Sequence, residues 1–214
     1  MLQTSRTITL ADLLDRLGPM SLSRIRFQPP PGLATEDDVL QIEASEDRRC
    51  ELVDGILVEK TVGAYESYLA ALLIQWLSEF VRRNKLGVVL GEQGAIRLAP
   101  GLIRVPDVAY FARESFPDNR FPRDPIPILI PTLAIEVISA GNTVREMETK
   151  LRDYFTAGTV EVWYVYPAAR EIHVFTHTGE AESVHKAPGR LVGRTILQGF
   201  ELDLEELFAE PIQD

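Results

Sequence analysis

Between Val160 and Tyr166 the chain reads Val-Glu-Val-Trp-Tyr-Val-Tyr, a run of β-branched and aromatic residues almost uninterrupted by polar ones. Side chains on a strand alternate between two faces, so such a run carries apolar groups on both and has to be covered on both. A sheet with one wet face is thereby excluded, and a layered α/β arrangement is expected. The residues ahead of this strand support that reading. Asn142 or Thr143 opens a helix with Val144, Met147, Leu151, Tyr154 and Phe155 on one face and Gly158 as its stop.

Upstream, Glu51-Leu52-Val53 and Ile56-Leu57-Val58 flank Asp54-Gly55, a strong signal for a tight hairpin. A long amphipathic helix follows, with Tyr65, Tyr68, Leu69, Leu72, Leu73, Trp76, Leu77, Phe80 and Val81 at helical spacing and Asn84 or Gly87 at its end. Three strands are expected next. Val88 to Leu98 is bent or bulged at Gly91 and Gly94, and Val105 to Phe111 and Leu133 to Ser139 are the other two. A loop rich in proline and arginine, Arg113 to Pro131, separates the last two strands. The order is helix, three strands, helix, strand, which implies a mixed open β-sheet flanked by helices. Further strands are expected near Glu171–Phe175 and Ser183–Lys186, and a short terminal turn from Asp203 to Phe208.

Residues 1–48 read as an N-terminal accessory segment, 49–208 as the main domain and 209–214 as a tail. In the first of these, Thr9 caps a short helix carrying Leu10, Leu13, Leu14 and Leu17, ended by Gly18-Pro19. Pro29-Pro30-Pro31-Gly32 forces an extended stretch and a turn, and Thr35 before Glu36, Asp37 and Asp38 opens a second helix. No apolar run reaches the roughly 18 residues of a membrane span, and the first nine residues lack the pattern of a secretory signal. The single cysteine, Cys50, rules out an intrachain disulfide and suits a small buried side chain in a reducing cytoplasm. The net charge of −10 argues against a protein that coats nucleic acid, but not against an enzyme that meets it through a local basic rim and divalent metal ions.

Three residues stand out chemically. Glu136 lies in Leu133-Ala134-Ile135-Glu136-Val137-Ile138, and alternation puts Ala134 and Ile138 on its own face. A buried carboxylate there requires a metal ion or a cationic side chain; otherwise it is a strand-end glutamate bonded to loop amides or an arginine. Asp107 follows Pro106 in Val105-Pro106-Asp107-Val108-Ala109-Tyr110-Phe111, and read alone it also fits a strand-entry aspartate bonded to loop backbone. Lys150 falls at the margin of its helix's apolar stripe. It is either a solvated lysine paired with Glu146 or one whose stem follows apolar surface to carry the amine past the helix. Taken together, two carboxylates on neighbouring strands can share one hard cation, with an ammonium beside them.

Several blocks in order carry a family resemblance: Glu51-Leu52-Val53-Asp54-Gly55, Pro106-Asp107-Val108, Glu136-Val137-Ile138-Ser139, Lys150 with Tyr154 and Gly158 at four-residue steps, Glu161-Val162-Trp163 and Gly199-Phe200-Glu201-Leu202. From about Cys50 to Phe208 they resemble the Uma-two family, a restriction-endonuclease-like branch of the PD-(D/E)xK nuclease superfamily. The resemblance implies a restriction-endonuclease-like core and a metal-dependent endonuclease that hydrolyses DNA. It implies Asp107 and Glu136 as ligands of magnesium, with manganese able to replace it. Ile138 stands where the superfamily lysine would be, so that role passes to Lys150 on the following helix. Glu51 is either an auxiliary acid or a cross-strand hairpin glutamate. Many relatives carry a histidine early in the long helix, where this chain has Ala64-Tyr65-Glu66-Ser67. That departure and the acidic charge favour the alternative of a non-catalytic nucleic-acid-binding or regulatory protein on a nuclease fold. A nuclease of RNA or of a special nucleic-acid structure is a third reading.

Other features read as structural. His173, His177 and His185 suit surface strands better than a zinc site, and Gly91 and Gly94 precede no Gly-Lys-Ser/Thr element. Arg113, Arg120 and Arg123 are either phosphate contacts or a solvated loop. Open sheet edges make a homodimer an expectation.

Overall fold

The computed structural model describes residues 9–18, 20–60, 63–116, 118, 120–210 and 212. The expectations for the first eight residues, for Pro19 as a helix stop and for the end of the tail lie outside the described residues. In chain order the elements are α1 (Leu10–Leu17), α2 (Glu36–Glu46), β1 (Cys50–Val53), β2 (Ile56–Glu59), α3 (Ala64–Arg83), β3 (Gly87–Gly91), β4 (Ile96–Ala99), β5 (Leu102–Arg104) and β6 (Val108–Ala112). There follow β7 (Leu133–Val137), α4 (Val144–Ala157), β8 (Glu161–Tyr166), β9 (Glu171–Phe175), β10 (Ser183–Lys186), β11 (Arg190–Val192), β12 (Glu201–Asp203) and α5 (Leu204–Leu207).

Six strands form a mixed sheet in the order β10-β9-β8-β7-β6-β3. β7 and β8 are parallel, joined by the α4 crossover, and the neighbouring pairs are antiparallel. Within this sheet the order helix, three strands, helix, strand holds as α3, then β3, β6 and β7, then α4 and β8. Cover on both faces of β8 is explicit. Trp163 and Val165 join the core built on Leu69, Leu73 and Leu77 of α3, while Val162 and Tyr164 join the core built on Met147, Leu151 and Tyr154 of α4. Trp163 is fully buried, and its indole nitrogen donates to Glu161 Oε1 at 2.5 Å.

A second sheet, β2-β1-β5-β4, changes two of the strand expectations. Val88 to Leu98 is not one bent strand. Glu92 to Ala95 separates β3 in the six-stranded sheet from β4 in the four-stranded one, so the two glycines mark a transfer between sheets. Likewise the strand expected from Val105 to Phe111 starts only at Val108, because Val105-Pro106-Asp107 is the crossing from β5 in one sheet to β6 in the other. Proline cannot donate to a ladder, which suits it to this gap. β7 ends at Val137 rather than Ser139.

The helices follow their caps. Thr143 caps α4, accepting from the Glu146 amide, and Gly158 ends it at φ 107° in the left-handed region. Val144, expected on the apolar face, is 77% exposed. Glu146 is buried on this helix instead, ion-paired at 2.9 Å to buried Arg24. The N-terminal segment packs against the hairpin: Leu13 and Leu17 of α1 share a buried cluster with Ile25, Val53, Ile56 and Val58.

That contact centres on the hairpin turn. Asp54 (φ 50°) and Gly55 (φ 75°) both adopt positive φ, the combination of a type I′ turn. The Gly55 carbonyl accepts from the amides of Gly32 (2.7 Å) and Ala34 (3.0 Å), which bring the backbone so close that a Cβ on Gly55 would lie 2.7 Å from the Gly32 carbonyl. Replacing Gly55 with alanine is therefore expected to lower stability by roughly 1–3 kcal/mol, the range for a strained backbone position. Urea unfolding followed by tryptophan fluorescence checks this; an unchanged midpoint would contradict it.

Candidate active site

Glu136 sits one residue before the end of β7, on the face shared with Ala134, and so points under α4. Lys150 and Tyr154 descend from α4 at i and i+4 and meet it there. The Lys150 ammonium lies 3.3 Å from both Glu136 oxygens, and the Tyr154 hydroxyl donates to Glu136 Oε1 at 2.7 Å. Glu136 is 4% exposed, Lys150 3% and Tyr154 fully buried. The expectation that Lys150 pairs with Glu146 as a solvated lysine is replaced, since Glu146 is committed to Arg24.

Glu51 reaches the same lysine from the other sheet. β1 and β5 pair with Leu52 opposite Ile103, and one step further along that register Glu51 faces Arg104. Its carboxylate accepts from Arg104 Nη1 at 2.6 Å and from the Val105 amide at 3.3 Å, and it stands 3.0 Å from the Lys150 ammonium. The cross-strand partner is thus an arginine on the neighbouring strand. Arg104 is held on its other side by Asp153 of α4. Asp107, 5% exposed in the crossing between the sheets, accepts from the Val137 amide at 2.7 Å, which ties it to the strand that carries Glu136. Its second oxygen lies 2.8 Å from the ammonium of Lys60, which also donates to the Val105 carbonyl.

Three buried acids thus meet three cations, Arg104 and Lys150 buried and Lys60 half-buried, and their environments differ. Burial pushes Glu51 upward, but Lys150, Arg104 and Lys60 outweigh it and hold this carboxyl well below the usual carboxylate range. Burial also pushes Glu136 upward; Lys150 and Lys60 do not fully offset it, and Asp107 and Glu51 add like-charge repulsion, so it stays above its ordinary value. Burial lowers Lys150, yet Glu136 and Glu51 raise it overall, which keeps it charged. Lys150 is thus shared between an acid held low and one held high.

A hard divalent ion fits this donor set. Asp107 and Glu136 offer carboxylate oxygens, and the Lys60 ammonium, held between a carboxylate and a main-chain carbonyl, shows that a cation is stable there. Among the described residues no group of three or more His, Cys, Asp or Glu side chains converges to hold a metal ion, so main-chain oxygens or water would complete the coordination.

A cleft of about 580 Å³ is lined by the cations Arg48, Arg49 and Lys60, the acids Asp47, Glu59 and Glu92, and the start of α3. A larger cleft, about 1240 Å³, is lined by Glu66, Glu205, Glu206 and Glu210 among others and by none of the buried acids. The smaller one is lined by none of them either, but its wall includes Lys60, the side chain that touches Asp107. Arg113, at the far end of β6 from Asp107, and exposed Arg120 and Arg123 do not line it.

Sequence reasoning missed Lys60, Arg104, Tyr154 and Asp153 as members of this cluster. Arg104, alone among Leu102, Ile103 and Val105, carries the signal that singled out Glu136, and Tyr154 lies one helical turn beyond Lys150. Lys60 carries no comparable signal.

A mixed sheet with paired acids at adjoining strand ends and a lysine from the crossover helix defines a restriction-endonuclease-like α/β protein. The chain belongs to the Uma2 family, described as "Putative restriction endonuclease", which it matches over residues 36–205. Among solved structures it is similar to a "putative nuclease belonging to DUF820" from Anabaena variabilis ATCC 29413. The TM-score is 0.65 and the identity 18%, over 76% of this chain and 91% of that one, a likeness of fold. No curated protein matches the sequence.

Two outcomes follow from the charge cluster. Lys150→Met leaves two buried carboxylates sharing one cation fewer and is expected to cost about 3–5 kcal/mol, measured by chemical denaturation. The second concerns pH. A carboxyl held low in the folded state stabilises above its unfolded value, about 4.3 for glutamate, and that stability is lost as pH falls through the folded value. Thermal melts of the parent and Glu51→Gln should therefore differ most near pH 7 and converge steadily below pH ~4. A gap that widened in acid would contradict the assignment.

Proposed function

We propose that the protein is a metal-dependent endonuclease that hydrolyses DNA phosphodiester bonds, with Asp107 and Glu136 as the metal ligands and Lys150 as the catalytic ammonium. The observation that carries this reading is the Val137 amide donating to Asp107 at 2.7 Å, which locks the second acid to the strand bearing the first. Magnesium, or manganese in its place, would supply an acidified water and a polarised phosphoryl oxygen. The chain's own groups do the rest. Lys150 orients the attacking water and offsets charge that grows on the phosphoryl oxygens, and Tyr154 and Lys150 fix the Glu136 carboxylate. Glu51 is an auxiliary acid that keeps Lys150 and Arg104 in place rather than a ligand.

Arg48, Arg49 and Lys60 put cations on the cleft wall, balanced there by Asp47, Glu59 and Glu92, with Arg48 paired to Glu59 and Arg49 to Glu43. A wall so balanced suits an enzyme that binds briefly better than one that coats DNA. The exposed edges at β10 and β3 suit a homodimer, and no helix among the described residues is long and apolar enough to cross a membrane. A single buried cysteine agrees with action in the cytoplasm.

The non-catalytic alternative also has an observation in its favour, since each acid of the cluster already carries a protein cation. One experiment separates the two. Parent, Asp107→Asn and Glu136→Gln are incubated with supercoiled plasmid, linear duplex and RNA in magnesium or manganese, with circular dichroism to verify folding. The catalytic reading expects nicking by the parent and a loss of about 100-fold or more in each variant, the scale of removing a group that stabilises transition-state charge. Cleavage by Asp107→Asn at the parent rate removes the assignment, and binding without cleavage by the parent favours the non-catalytic reading.

A further inference from the structure

Two lysines serve the buried acids, and they are placed differently. Lys150 is enclosed beneath α4 between Glu51 and Glu136. Lys60 comes from the residue after β2, has an 8% exposed side chain and is on the wall of the 580 Å³ cleft. Its ammonium has two oxygen partners, Asp107 Oδ1 at 2.8 Å and the Val105 carbonyl. Carboxylate and carbonyl oxygens are the donors that a hard divalent ion takes. A lysine is a compact charge on a flexible four-carbon stem, so it can leave such a position without moving the backbone that carries it.

We propose that Lys60 is a built-in counter-ion holding the divalent ion's place at Asp107, and that metal and Lys60 exchange there, the ammonium moving into the cleft as the ion binds. The inference rests on the reading of Asp107 and Glu136 as metal ligands. A divalent ion at Asp107 Oδ1 would stand directly beside the Lys60 ammonium, and in a site of low exposure their repulsion is poorly screened, which favours departure of the cation on the flexible stem; Lys150, held by Glu51 as well as Glu136, stays. The exchange keeps the buried acids compensated in both states, which an empty acid pair would not be. It also gives a specific reason for a lysine at position 60, where a merely structural cation would be as well served inside the core as at the cleft wall. The metal-binding state is then a fraction of the whole population, and the apparent affinity falls by that fraction.

The test uses the intact protein and reads the lysine and the metal separately. The native chain is treated with an amine-acylating reagent with and without saturating manganese, and modification of each lysine is counted by peptide mass spectrometry. Lys60 is expected to be protected without metal and to become several-fold more reactive with it, while Lys150 stays protected in both conditions. In parallel, calorimetry compares manganese binding by the parent and Lys60→Gln, which retains a donor for the Val105 carbonyl. The variant is expected to bind at least about tenfold tighter, since nothing charged has to be displaced. Manganese binding by the parent with Lys60 still protected, or with Lys60→Gln binding no tighter, overturns the exchange and leaves the acid-pair reading intact. No manganese binding by either protein, with DNA present as well as absent, overturns both. Should Lys60→Gln fail to fold, the labelling of the native chain decides alone.

Discussion

Taking a carboxylate out of water costs several kcal/mol unless a cation and hydrogen bonds replace the solvent, and this protein does so three times within one small region. Glu51, Asp107 and Glu136 are 1%, 5% and 4% exposed. Each is compensated by a side chain from a different element: Arg104 from β5, Lys60 from the end of the hairpin, and Lys150 from the crossover helix. Well-packed apolar residues would serve stability at least as well in such a place. What such a cluster does do is hold acids where water is scarce and electrostatic effects are strong.

The two sheets meet at this cluster. Glu51 and Arg104 belong to the four-stranded sheet, Glu136 to the six-stranded one, and Asp107 to the crossing between them. Lys150 touches acids from both sheets, so α4 works as a clamp as well as a crossover. Arg24 and Glu146 extend the same principle to the N-terminal segment, pairing a residue before the hairpin with one on α4.

How much of this could be read from the sequence follows the distance over which each feature is decided. The Asp54-Gly55 turn, the caps at Thr9, Thr35 and Thr143, and the strands Glu171–Phe175 and Ser183–Lys186 are set by neighbouring residues, and all were legible. Glu136 was legible as an anomaly, a charge in an apolar run, but its Tyr154 partner was not singled out. The division of Val88 to Leu98 between two sheets was not legible, because periodicity is the same whichever sheet a strand joins. Lys60 and Arg104 became visible only with the tertiary structure, since Lys60 meets an acid 47 positions away by number and Arg104 one from a different strand.

The proline- and arginine-rich segment from Arg113 to Pro131 divides the site in two. Glu51, Lys60, Arg104 and Asp107 precede it, and Glu136, Lys150, Asp153 and Tyr154 follow it. Neither portion contains the complete set, and the Val137 amide that holds Asp107 lies across the divide. A chain opened within this loop would thus be a natural split protein, whose chemistry exists only where both fragments have found each other.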